Sequence, residues 1–185
     1  MSEKIMVKQK LSFKMQNLAA AAAIVGAVVL PQLLHLIGIF SGMGTALGET
    51  FLPMHLPVIL VGFMAGIYAG AVSGFLAPLV SFALSGMPGT ALLPFMMIEL
   101  CVYGAAAGLL RKVNMPTFGK VVLVQIAGRG IRAMAILLGI RLFGSVIPAA
   151  IIWTSIRAGL LGIILQWILI PLIIFRVEQA DKNRE

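Results

Sequence analysis

The sequence predicts an all-α, polytopic membrane protein: one integral membrane domain of six transmembrane helices with both termini cytoplasmic. Three observations lead there. Hydrophobic residues make up 61% of the 185-residue chain and charged residues only 11%, with a mean hydropathy of +1.07. A water-soluble domain of this size cannot hide that much apolar surface, so the solvent is lipid. The apolar residues gather in runs of roughly 20, enough to cross a hydrocarbon core of about 30 Å. The basic residues behind the net charge of +8 cluster near the ends of those runs. In a soluble protein such a surplus suggests nucleic acid; here it anchors and orients helices, and no nucleic-acid partner is expected.

Read in windows of about 20 residues, the spans cover roughly 17–39, 51–66, 69–86, 90–110, 119–143 and 149–175. Lys4, Lys8, Lys10 and Lys14 precede the first run in the manner of a signal peptide. The run is too long for a cleaved segment, and its alanines lie at the start, where no cleavage site belongs, so it reads as a retained helix. The second and third spans share FLPMHLPVILVGFMAGIYAGAVSGFLAPLVSF, which as one helix would extend about 48 Å and must therefore fold back. Pro53 and Pro57 break its start. Gly62, Gly66, Gly70 and Gly74 allow two helices to pack closely around a short hairpin at 67–69. Irregular backbone beside His55 suggests either a simple kink or a cavity near the outer end of this span.

Orientation follows from the cations. With the lysine-rich N-terminus inside, RKVNMPTFGK and the tail holding Arg176, Lys182 and Arg184 also fall inside. The opposite connections, SGMGTALGET, SGMPG and GSVIP, contribute only Glu49. Cys101 is the single cysteine, so an intramolecular disulfide is impossible and a thiol zinc site is excluded. No cofactor and no metal are expected.

The intramembrane charges carry the chemistry. Glu99 lies in the fourth span, Arg129 and Arg132 in the fifth and Arg157 in the sixth. Each costs about 2.5–3.5 kcal/mol on insertion scales if left alone at the bilayer centre, so each needs a partner or a wet cavity. Helical spacing places Gln125, Arg129 and Arg132 on one stripe, Phe95, Glu99 and Tyr103 on another, and Trp153 one turn from Arg157. These three faces are expected to converge. One reading is a structural ion pair of Glu99 with Arg129 or Arg132; the other, favoured by the guanidinium surplus, is a polar ligand pocket or an internal water cluster. The expected substrate-binding set is His55, Glu99, Tyr103, Arg129, Arg132, Trp153 and Arg157. His35 reads as interfacial or structural, and Tyr103 and Trp153 as pocket walls or packing residues.

In LAAAAAIVGAVV, Ala19, Ala23 and Ala27 recur every four residues, with Gly26 beside them. Such a stripe lets another backbone approach, either from within the chain or from a partner membrane helix.

FLPMHLPVILVGF, the glycine-spaced turn after it, FALSGMPG, MIELCVYG and the alanine stripe together resemble the substrate-binding S components of energy-coupling factor (ECF) vitamin transporters. The resemblance covers essentially the whole chain. Around Met54, His55 and Glu99 it is closest to members assigned to hydroxymethylpyrimidine or pyridoxine-like compounds. It implies a non-catalytic membrane subunit that binds its vitamin in an outward pocket and joins an EcfT-like coupling protein and two cytoplasmic ATPases. By position, Ala19, Ala23 and Ala27 match the family's alanine motif for coupling-protein contact. The chain contains no GxxxxGK[ST] loop, so ATP hydrolysis falls to partners.

Substrate chemistry stays open between two classes. A neutral or weakly basic heterocycle suits Glu99 as acceptor, with Tyr103 or Trp153 stacking on the ring. A carboxylate such as pantothenate suits Arg132 or Arg157 in bidentate fashion. A small channel or exporter is a further alternative. An intramembrane serine protease built on the AVSG serine lacks identifiable oxyanion-hole donors.

Overall fold

The computed structural model describes residues 11–44 and 46–183. The lysines at positions 4, 8 and 10 and Arg184, to which the orientation argument appeals, lie outside the described residues. Among those described, the chain forms eight helices and no strand: α1 (Phe13–Phe40), α2 (Ala46–Phe51), α3 (His55–Ala65), α4 (Ile67–Ser85), α5 (Leu93–Leu110), α6 (Thr117–Phe143), α7 (Ile151–Ala158) and α8 (Leu160–Lys182). Six segments are long and apolar enough to cross a membrane, with α2 and α3 together forming the second.

Local chemistry sets the boundaries. The Ser12 hydroxyl caps α1 by accepting from the Met15 N–H at 3.3 Å. The break between α2 and α3 falls on Leu52, which adopts φ +48°, followed by Pro53. Pro57 then sits in the first turn of α3, where a missing N–H is tolerated. The reversal between α3 and α4 is tighter than the expected hairpin at 67–69. Gly66 alone makes it, at φ 103° and ψ −175°, and α4 begins at Ile67. A residue with a side chain would be strained there.

α5 is the centre of the bundle, packing on α3, α4 and α6; α1 packs on α3 and α4, and α8 on α6. The backbones of α4 and α5 meet at Gly70 and Gly104, where a methyl group on either would overlap the carbonyl of the other. In lipid, where apolar side chains gain little from meeting one another, this close approach is a main source of helix affinity. Ala27, Val58, Ile59, Leu100, Val124 and Ile170 fill the largest core cluster.

A further expectation is revised. The sixth span does not run unbroken over 149–175: the chain stops at Gly159, the C-cap of α7, and restarts as α8 at Leu160. Of the two readings of the alanine stripe, approach from within the chain or from a partner helix, the first is seen in the fold. Ala23 is 7% exposed and Ala27 fully buried; Ala23 and the partly buried Ala19 pack with Val61, Ala65 and Ala69 of α3 and α4. The outward face of α1 instead carries Leu18, Ala21, Ala22, Val25 and Val29.

Candidate functional site

Three helices converge on one carboxylate. Glu99 is fully buried on α5. One turn along the same face, Tyr103 donates its hydroxyl to Glu99 Oε1 at 3.0 Å. From α6, Arg132 Nη1 donates to Glu99 Oε2 at 2.8 Å. Arg129, one turn earlier, holds Nη1 at 3.9 Å from Oε1. The head of α3 brings His55 Nε2 to 3.9 Å from the same oxygen and tilts its ring over Tyr103, with centroids 5.2 Å apart. The bend at Leu52 and Pro53 is what allows this: it starts α3 at His55, inside the bundle.

His55 is 4% exposed, yet neither ring nitrogen has a hydrogen-bond partner among the described residues, nor do Nε and Nη2 of Arg129 or Nε of Arg132. Buried polar atoms are rarely left so, and these all lie around Glu99.

Beside the cluster lies a cavity of about 360 Å³, within the range of small-molecule sites. Its walls come from one end of the bundle: Pro31, Gln32 and His35 of α1, the α2–α3 bend, Met87 to Gly89, Met96 of α5 and one face of α7. The Arg111–Lys112 turn joins the opposite ends of α5 and α6. His55 and Arg132 reach the cavity; Glu99, Tyr103 and Arg129 stand behind them and do not line it. The chemistry on offer is hydrogen bonding from the Arg132 guanidinium in a mostly apolar chamber walled in part by the His55 ring, with the carboxylate positioning the guanidinium.

The expected convergence of three faces is partial. Trp153 is 68% exposed and Arg157 is also exposed; neither lines the cavity. Their helical register explains it, since Ile151, Thr154, Ser155 and Ala158 form the face of α7 that looks in. Gln125 leaves the arginine stripe as well. Its amide donates to Gln166 Oε1 at 2.9 Å, while its own oxygen accepts from Trp167 Nε1 at 2.6 Å. Gln166 in turn donates to the Leu52 carbonyl at 3.2 Å, tying α8 to the bend beside the cavity. Phe95 packs apart, with Ile136 and Ile147. His35, read as interfacial or structural, lines the cavity.

Sequence reasoning missed Gln32, Thr154 and Ser155 as lining residues. The signal for the last two was present: with a break at Gly159, their i, i+3, i+4, i+7 register with Ile151 and Ala158 marks one face of a short helix. No group of three His, Cys, Asp or Glu side chains among the described residues is placed to hold a metal ion.

Residues 15–174 match the family model described as ECF transporter, substrate-specific component. Comparison with curated proteins gives no match, and comparison with solved structures gives none.

Proposed function

Because the chain belongs to the ECF transporter substrate-specific component family, we propose that its cavity captures a vitamin or vitamin precursor, a hydroxymethylpyrimidine- or pyridoxine-like heterocycle, from outside the cell. Members of this family are transport subunits rather than catalysts. On this reading the chain, with both termini cytoplasmic, passes its ligand on in a complex with an EcfT-like coupling protein and two ATPases that drive uptake.

One observation carries the reading: a cavity of about 360 Å³ lined by His55 and Arg132, where the two ring nitrogens of His55 are buried with no hydrogen-bond partner among the described residues and would meet a ligand once the ring turns toward it. A neutral imidazole is both donor and acceptor, the complement of a ring nitrogen beside an amino or hydroxyl group. Glu99 serves by fixing Arg132 and Tyr103 rather than by touching the ligand. A second reading, an anionic vitamin such as pantothenate, is favoured by the Arg132 side chain, a guanidinium that lines the cavity.

Mass spectrometry of small molecules retained by the detergent-purified protein tests both. A retained heterocycle that rebinds tightly, with no flux through the reconstituted chain alone, is the expected result. A retained aliphatic carboxylate selects the second reading, and unaided flux replaces both with a channel.

A further inference from the structure

Arg129 is the charge that the buried ion pair leaves over. Arg129 and Arg132 bring two positive charges to the single negative charge of Glu99. The surplus is one with a neutral His55 and two with a charged one. Glu49, the acid that does line the cavity, is exposed and forms no ion pair with either arginine among the described residues. The side chains of Arg129 and Arg132 are only 12% and 11% exposed, and Nε and Nη2 of the first and Nε of the second are buried without an acceptor. At membrane depth such a surplus is unfavourable, and water alone would satisfy the N–H groups without cancelling the charge.

A small void adjoins them. A void of about 10 Å³ lies between α6 and α7, lined by Arg129, Arg132, Ile152 and Ser155 among others. That is about the least room one water needs, so a larger monovalent ion enters only as the two guanidinium side chains part. The Ser155 hydroxyl is already donated to the Ile152 carbonyl at 3.2 Å, so the guanidinium groups are the available donors. Arg132 and Ser155 line both this void and the large cavity. An occupant of one therefore borders the ligand in the other.

We infer that Arg129 and Arg132 together bind a small anionic group beside the ligand cavity: an anionic oxygen of the bound ligand or, in its absence, a monovalent inorganic anion such as chloride. The first source rests on the vitamin-capture reading; the second does not.

The test begins with ligand-free protein in sodium gluconate, titrated with sodium chloride or bromide at constant ionic strength while the melting temperature is followed. A saturable, halide-specific rise is expected, and crystals grown in bromide should show anomalous scattering between the two guanidinium groups. Arg129→Gln should raise the halide midpoint at least about tenfold, the loss of one charge-assisted hydrogen bond. Should that variant fail to fold, the bromide measurement on the unaltered protein decides alone. The compound retained on purification then separates the sources. Mutual competition between it and halide means that its own anionic oxygen fills the site; affinity that halide leaves intact or strengthens means that the inorganic ion does. The inference is overturned if halide produces no specific shift, bromide no peak, and the retained compound carries no anionic group. Because the halide titration uses no ligand, its failure leaves vitamin capture standing, and failure of vitamin capture leaves the halide result intact.

Discussion

Arg132 on α6 and Glu99 on α5, 33 residues apart in the chain, meet through a hydrogen bond of 2.8 Å between Nη1 and Oε2. The carboxylate is fully buried and the guanidinium reaches the cavity. The pair therefore joins a fold contact to a binding surface, and its two members should respond differently to substitution.

Glu99→Gln removes the carboxylate that, among the described residues, faces two largely buried guanidinium groups. Breaking such a pair typically costs about 3–5 kcal/mol, because a charge is left uncompensated. Thermal unfolding in detergent should show a large loss of stability, and Arg132→Met in the same chain should restore part of it. Unchanged stability with weakened ligand binding would mean that Glu99 contacts the ligand directly, contrary to the geometry.

His55→Leu should separate binding from stability in the opposite direction. The substitution removes two buried nitrogens without a hydrogen-bond partner among the described residues, together with the 3.9 Å contact to Glu99 Oε1, so the melting temperature should change little. Affinity for the retained compound should fall about tenfold, the worth of roughly one hydrogen bond at the upper end of the usual range. An unaltered dissociation constant removes His55 from the site.

Gly70→Ala and Gly130→Ala form a matched pair. A methyl at Gly70 meets the Gly104 carbonyl, whereas at Gly130 nothing lies within 4 Å. The first should destabilise by at least about 1–3 kcal/mol, as overpacking does; the second should be neutral or slightly stabilising, since alanine favours the helix. Equal effects in unfolding titrations would contradict the close approach of α4 and α5.

Substitutions on the two faces of α1 should divide folding from transport. Ala23→Trp places a large ring among Val61, Ala65 and Ala69 and should destabilise the isolated chain. Ala22→Trp lies on the exposed face and should leave the fold and ligand affinity intact. If that face docks the coupling protein, co-purification with it and cellular uptake are lost together. Normal uptake by the Ala22 variant assigns the docking surface elsewhere.

Orientation is checked by single cysteines at positions 49, 86 and 112 in a chain lacking Cys101. Glu49, Gly86 and Lys112 are all exposed. An impermeant maleimide should label the first two in intact cells and spare the third. Labelling at position 112 would reverse the topology and turn the cavity inward.

The number of spans follows from the apolar runs alone, because crossing hydrocarbon demands long apolar runs whatever their packing. That Glu99 and the arginines must find partners follows in the same way, because an isolated charge in lipid is too costly. Which surfaces meet was decided only in three dimensions. In a soluble helix, polar residues mark the outer face; here lipid and protein interior are equally apolar, so LAAAAAIVGAVV carries no mark telling the buried Ala23 from the exposed Ala22. The same ambiguity let Gly159 pass as one more glycine in an apolar run, when it ends α7 and so turns Thr154 and Ser155 inward and Trp153 and Arg157 away. Spacing placed Gln125 on the arginine stripe, but Gln166 and Trp167, more than forty residues later, determine where its amide points. Periodicity tells which side chains share a face; only the packing of the other helices tells what that face meets.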